Sequence, residues 1–157
     1  MVQISTQASA SRIFPVTVNS ELSLLEMITA GQYDEVHADV SSKQFLNTSC
    51  NKTEVEIQLI HFGKHMNSDE VLQQLEQMGL RPATLAELLA FGAMYFNKQK
   101  KYDIAALGST WLIDQDNQGV TYLTACRTAA GRVIRIVDLV WTPRKWESDF
   151  RFATVAK

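Results

Sequence analysis

The sequence predicts an α+β domain, and three observations carry that reading. Glu54–Phe62 alternates apolar and polar residues, the period of a half-buried strand. Two helix-start signatures follow it closely. From Tyr102 onward the chain breaks into short alternating runs separated by turn-forming residues. Parallel pairing would need a helix between successive strands, and none intervenes after Tyr102, so the C-terminal half is expected to be antiparallel and rich in hairpins.

Taken in order, residues 1–19 are small and polar around Pro15 and read as a lead-in with a short extended stretch, Phe14–Val18. Asn19 or Ser20 is placed to cap a helix whose apolar face holds Leu22, Leu25 and Ile28 with Leu24 beside them. Gly31 stands where a left-handed C-cap is wanted. Val36, Ala38 and Val40 alternate with Glu35, His37 and Asp39, predicting a second strand, and Lys43–Thr53 reads as a loop.

In the run from Glu54, Val55, Ile57 and Leu59 face one way, and Ile60 and Phe62 add apolar weight late on the other face. That second face is expected to be wet at its start and covered at its end. Asn67 with Glu70 predicts the start of a helix carrying Val71, Leu72, Leu75 and Met78 and closed by Gly79. Thr84 with Glu87, just after Pro82, predicts a second helix directly afterwards, striped by Leu85, Leu88, Leu89 and Tyr95. Gly92 inside it costs about 1 kcal/mol against alanine, which predicts a neighbouring backbone packed closely on it. Strands are then expected at Ile104–Leu107, Thr110–Ile113, Val120–Cys126, Val133–Val140 and Phe150–Val155. Asp114–Gly119 and Thr128–Arg132 are the expected hairpin connections, and Pro143 interrupts the stretch before Phe150.

Composition narrows the function classes. The 157 residues are 46% hydrophobic and 20% charged, enough to bury one core without disulfides or metals, and there is no apolar run of the ~20 residues that a membrane helix needs. Met1–Ser11 lacks the basic start and apolar stretch of a secretion signal, so a cytoplasmic home is expected and the sequons Asn47-Thr48-Ser49 and Asn51-Lys52-Thr53 carry little meaning. Cys50 and Cys126 are too few for a disulfide framework and lack zinc-finger spacing, so both read as free thiols, Cys126 as a buried, inert one. Charge is uneven: residues 1–97 hold 5 basic and 11 acidic side chains, residues 98–157 hold 10 and 6.

Motif by motif, little points to catalysis. His61 and His65 are four apart, but one ends a strand and Gly63 breaks the path, so they should diverge rather than share a metal. Asp114–Gly119 has the opening carboxylate spacing of a calcium loop, yet Ala125 stands where the closing glutamate belongs. Gly108-Ser109 lacks the further glycine of a nucleophile elbow, and no glycine-rich phosphate loop occurs; no cofactor and no metal are expected. If the chain is an enzyme, His61, His65 and Asp103 are the titratable groups that a pocket would have to gather.

Basic and aromatic residues are interleaved in the second half. Lys98, Lys100 and Lys101 flank Tyr95, Phe96 and Tyr102, while Arg127, Arg132, Arg135, Arg144, Lys145 and Arg151 lie among Trp111, Trp141 and Trp146. Single-stranded nucleic acid is held by this mixture, although a pI near 5.9 is low for a dedicated nucleic-acid binder, and lysines after a helix end also serve its dipole.

The segments Arg81–Leu88, Ala106–Trp111 and Trp146–Val155, in the order strand, two helices, short strands, final strand, resemble the C-type lectin-like fold in its bacterial, formylglycine-generating-enzyme-like branch, over residues 54–157. Gly79–Thr84, Ala106–Trp111 and Arg151-Phe152-Ala153 are also similar to uncharacterised bacterial proteins. The resemblance implies that Val55–Phe62 and Phe150–Val155 pair as first and last strands, that the two helices flank them, and that the later loops form the binding surface. It implies no sugar, calcium or oxidase chemistry, because the Glu-Pro-Asn or Gln-Pro-Asp triplet, the Trp-Asn-Asp motif, the paired cysteines and the reactive cysteines are all missing.

The expected protein is therefore a non-catalytic interaction module, with residues 54–157 as its body and 1–53 as an extension bearing one helix and one strand. Its expected ligand is a protein partner. A nucleic-acid-associated factor and an enzyme of unknown class are the alternatives, self-association is compatible with the extension, and no membrane contact is expected. The expected contact residues are Trp141, Arg144, Lys145, Trp146, Arg132 and Asp116, where loop arginines and aromatics can act as anchors.

Overall fold

The computed structural model describes residues 9–19, 21–41, 53–112, 117–142 and 145–157. Within them the fold is α+β, as expected, and eight strands form one mixed sheet. The strands are β1 (Ser9–Val18), β2 (Glu35–Val36), β3 (Thr53–His61), β4 (Leu80–Pro82), β5 (Ile104–Leu112), β6 (Gln118–Arg127), β7 (Val133–Thr142) and β8 (Arg151–Ala156). The helices are α1 (Leu24–Gly31), α2 (Ser68–Gln77) and α3 (Leu85–Met94). The order across the sheet is β1-β3-β8-β5-β6-β7-β2, with β4 also paired to β8.

The long strand and the last strand lie side by side. β3 and β8 are antiparallel, Ile57 opposite Val155 and Ile60 opposite Phe152. The C-terminal half is hairpin-linked, β5 to β6 to β7. Two pairings depart from an antiparallel reading, because β8 meets β5 in parallel and β2 meets β7 in parallel. Both join strands far apart in sequence, which local hairpin chemistry does not report.

Alternation along the strands divides the apolar residues between two faces. Ile57 and Leu59 of β3, Ile104 and Ala106 of β5, Leu123 of β6, Val137 of β7 and Ala153 and Val155 of β8 pack under α1 and α3. Ile60, Phe62, Ala105, Val120 and Phe152 face the other way, onto Val71 and Leu75 of α2 and onto Trp146 and Phe150. β3 thus begins with exposed Thr53 and Glu54 and ends buried, as its pattern predicts.

Residues 9–41 belong to this same sheet and core. Phe14, Val16 and Val18 are buried with α3, and β1 is twice the length expected of it because its first half also pairs with β3. Being an edge strand, β1 tolerates Pro15.

Local signals held where caps were strong and failed where a face had to be guessed. Asn67–Glu70 and Thr84–Glu87 both form reciprocal capping boxes. For α1 the cap is Ser23 with Glu26, not Asn19 or Ser20, and the left-handed C-cap is Gln32 with φ 54°, one residue past Gly31. The buried face is accordingly Leu24 and Met27, and Leu25 is 72% exposed. β2 is only two residues long, since the chain turns at His37, where Val40 N–H donates to the His37 carbonyl. α3 does not follow α2 directly: β4 intervenes and pairs Leu80 with Ala156.

The two short runs expected around Gly108 are one strand, β5, with a bulge. Ala106 pairs with Thr121 and Thr110 with Val120, so β5 spends four residues where β6 spends one. Gly108 sits at that bulge because a Cβ there would lie 2.5 Å from the Ala83 carbonyl oxygen, the same oxygen that accepts the Gly108 N–H at 2.9 Å. Close approach was also expected at Gly92, but from backbone. The neighbours are side chains instead: a Cβ there would meet the Tyr33 hydroxyl oxygen at 2.1 Å and Leu123 at 2.9 Å.

Candidate functional site

The second face of the sheet is only partly covered. α2 and the segment around Trp146 shield it over β3, β8 and β5, but over β6 and β7 no helix of the described residues lies on it. There Tyr122, Thr124, Ile136, Asp138 and Val140 are half-buried, whereas Leu123, Val137 and Leu139 on the opposite face are buried. The edge of the covering forms a wall. Trp146 N–H donates to the Met66 carbonyl, its indole Nε1 donates to Ser68 Oγ at 3.0 Å, and its ring stands edge-on to Phe150 and Phe152 at 4.9 and 5.6 Å. Between wall and floor is a cleft of about 370 Å³ lined by Asp103, Tyr122, Val140, Lys145, Trp146, Glu147 and Phe150, and bordered by Leu139 and Trp141, whose side chains lie on the other face of the sheet.

Asp103 precedes β5 and carries the distinctive electrostatics of this cleft. Its Oδ1 accepts from the Thr124 hydroxyl at 2.5 Å, and its main-chain carbonyl accepts from Arg151 N–H. Burial raises the carboxyl above the ordinary aspartate range, the Thr124 hydrogen bond opposes that rise, and the charge of Asp149 adds to it. Asp138 differs: Leu139 N–H and the Tyr122 hydroxyl both donate to its carboxylate, at 2.8 and 3.3 Å. On the other side of Asp103 a second cavity of about 350 Å³ is lined by Lys100, Lys101, Tyr102, Asp149 and Arg151, and the Arg151 guanidinium lies 4.0 Å from the Tyr102 ring centroid.

Lys145 and Trp146 are brought together on this cleft, whereas strand alternation puts the Trp141 ring on the opposite face of the sheet, beside Leu139 and against Trp111. Trp146 is 3% exposed, so it is part of the wall and the core rather than an exposed anchor; packing against Phe150 and Phe152 overrides its loop position. Arg132 lies elsewhere. It follows the Thr128–Gly131 turn at the opposite end of the β6–β7 hairpin, on the order of 30 Å from Trp141 at ~3.3 Å per strand residue, where Nη2 pairs with Asp34 Oδ1 at 2.7 Å. Asp116 and Arg144 lie outside the described residues, as do Cys50, Pro143, most of the expected Lys43–Thr53 loop and the first carboxylates of the calcium-like run.

Other expectations are redistributed. Cys126 is an exposed free thiol on β6, not a buried one, because it falls on the uncovered part of the second face. His61 Nε2 lies 3.0 Å from the Ser148 carbonyl, while His65 meets Glu147 at 3.7 Å with both side chains mostly exposed. Ser109 serves a helix: its Oγ accepts the N–H of Leu85, one of the unpaired donors of the first turn of α3. Among the described residues no three His, Cys, Asp or Glu side chains converge as a metal shell, and no helix is long and apolar enough to cross a membrane.

Two features went unread in the sequence. Tyr122 and Asp138 form a cross-strand pair on the cleft floor; the signal was their shared period with Thr124 and Ile136. Arg135 is 7% exposed, and its position inside Val133–Val137 was the clue, since a lone charge within an apolar strand run must find buried partners. A further pocket of about 130 Å³ lies between α1 and α3, but its walls, chiefly Leu22, Met27, Ala86, Leu89 and Ala90, bring no charged group together. No family model, curated protein or solved structure matches this chain.

Proposed function

We propose that the protein is a non-catalytic binding module that holds a segment of a protein partner in the cleft over β6 and β7, with a lysine or arginine of that partner reaching Asp103. The observation that carries this reading is the uncovered sheet face itself. A walled, half-apolar floor with one partly desolvated carboxylate at its end suits an extended segment with a cationic side chain. Asp103 Oδ2 accepts no hydrogen bond from the described residues, so a cation there would supply what Thr124 supplies to Oδ1.

The antiparallel β3–β8 pair with α2 and α3 between them in sequence supports reading residues 54–157 as C-type lectin-like. A nucleic-acid role is weakened by where the basic residues are used. Arg135 is buried, Arg132 pairs with Asp34 and Arg127 bonds the Gly131 carbonyl. The test is an NMR titration of the full chain with lysine- and arginine-containing peptides and their glutamine-substituted controls. Shifts confined to Asp103, Tyr122, Val140 and Lys145, reduced in Asp103→Asn, are expected. Equal response to the control peptides would remove the proposal.

A further inference from the structure

On a surface sharing no lining residue with that cleft, the end of α3 runs into a rigid basic ledge. Met94 and Phe96 are 50% and 48% exposed there, and Lys98, Lys100 and Lys101 follow within one short 3-10 turn. A groove of about 370 Å³ is lined by Met94, Tyr95, Phe96, Asn97, Lys98 and Lys101.

Lysines after a helix usually neutralise its terminal carbonyls, but here other groups do so. Arg135 Nη2 donates to the Gly92 carbonyl at 2.6 Å, and the Tyr95 N–H donates to that of Phe91 at 2.8 Å. The lysines also make no ion pair among the described residues. Lys98 and Lys100 have only aromatic faces, those of Phe14 and Phe96 at 5.4 and 5.6 Å, and Asp103 and Asp149 in the cavity beyond Lys101 stay outside ion-pair distance. The ledge is fixed in place by Gln99, which is 2% exposed and donates to the Thr124 and Ile136 carbonyls. Little ordering is therefore needed on binding.

We infer that this ledge docks an acidic peptide segment of a partner protein, an apolar side chain of that segment lying against Met94 and Phe96 and its carboxylates facing Lys98, Lys100 and Lys101. Net charge favours the assignment: the chain carries no acidic residue between Glu87 and Asp103.

The probe is a fluorescent peptide with a central phenylalanine flanked by glutamates, titrated with the full chain, against the same peptide with glutamines. Saturable binding that weakens as salt rises is expected. Replacing all three lysines by glutamine should weaken it about tenfold or more, and Phe96→Ala should weaken it without changing the salt dependence. Circular dichroism of both variants checks that they fold. The inference is overturned if no saturable binding occurs, if the glutamine peptide binds equally, or if the lysine variant binds like the parent. It is equally overturned if phosphatidylserine vesicles or oligothymidylate are retained in preference to the peptide. None of these outcomes depends on Asp103, so this result and the cleft proposal stand or fall separately.

Discussion

The guanidinium of Arg135 lies 4.5 Å from the centroid of the Tyr33 ring and closes the C-terminal ends of both α1 and α3. Arg135 donates Nη1 to the Gly31 carbonyl at 2.7 Å, Nη2 to Gly92 and Nε to Gln99 Oε1. Burial lowers its pKa while Tyr33 and Asp34 oppose that, and burial raises the Tyr33 phenol far above its ordinary value. The contact is structural: its partners are helix-end carbonyls, the Tyr33 ring and Gln99. Arg135→Ala leaves the helix-end carbonyls without a donor in a buried site, an expected loss of about 3–5 kcal/mol. Arg135→Lys should recover less than half of it, since one ammonium cannot span all of these acceptors. Urea denaturation of both variants checks the ranking.

Gly108 and Ser109 separate a packing requirement from a capping one. Gly108→Ala drives a methyl into the Ala83 carbonyl, which belongs to backbone and cannot give way, so a loss of at least ~2 kcal/mol is expected. Ser109→Ala removes only the acceptor for Leu85 N–H and should cost about 1 kcal/mol. Equal effects in thermal melts would show that the bulge, not the close approach, governs this corner.

These positions mark what the sequence made legible. Capping boxes at Asn67 and Thr84 and the alternation from Val55 to Phe62 were readable because they depend on neighbours within a turn or on the strand's own period. The parallel contacts of β8 with β5 and of β2 with β7 were not, since nothing local records which strand arrives from elsewhere. The candidate cleft divided the same way. Lys145 stood out by type, but the burial of Trp146 depends on Met66 and Ser68, some eighty residues earlier, and the separation of Arg132 depends on hairpin register.

Thr121 gives a prediction of opposite sign. It is 1% exposed and its hydroxyl has no hydrogen-bond partner among the described residues, on the face packed under α3. Thr121→Val keeps the β-branched shape and removes the unpaired group, so the variant should gain about 1 kcal/mol, or roughly 2–4 °C in melting temperature for a chain of this size. A less stable variant would mean that the hydroxyl has a partner in solution, such as a buried water.

Asp103 couples stability to the proposed site. Its carboxyl is raised above the ordinary aspartate value in the folded chain, so the folded state holds its proton more tightly than the unfolded state. The stabilising contribution is therefore complete below the unfolded value, declines as pH rises through the raised folded value, and stays lost above it. Asp103→Asn keeps an oxygen that can accept from Thr124 and cannot ionise. It should match the parent at low pH and exceed it at neutral pH, by at most about 1 kcal/mol after solvent screening of a half-buried group. Binding should change in the opposite direction, because a cation in the cleft favours the ionised carboxylate. Denaturation midpoints across pH, measured beside the peptide titration, distinguish the two roles. A variant that is more stable yet binds basic peptides as well as the parent would leave Asp103 a strained structural residue and no part of the recognition surface.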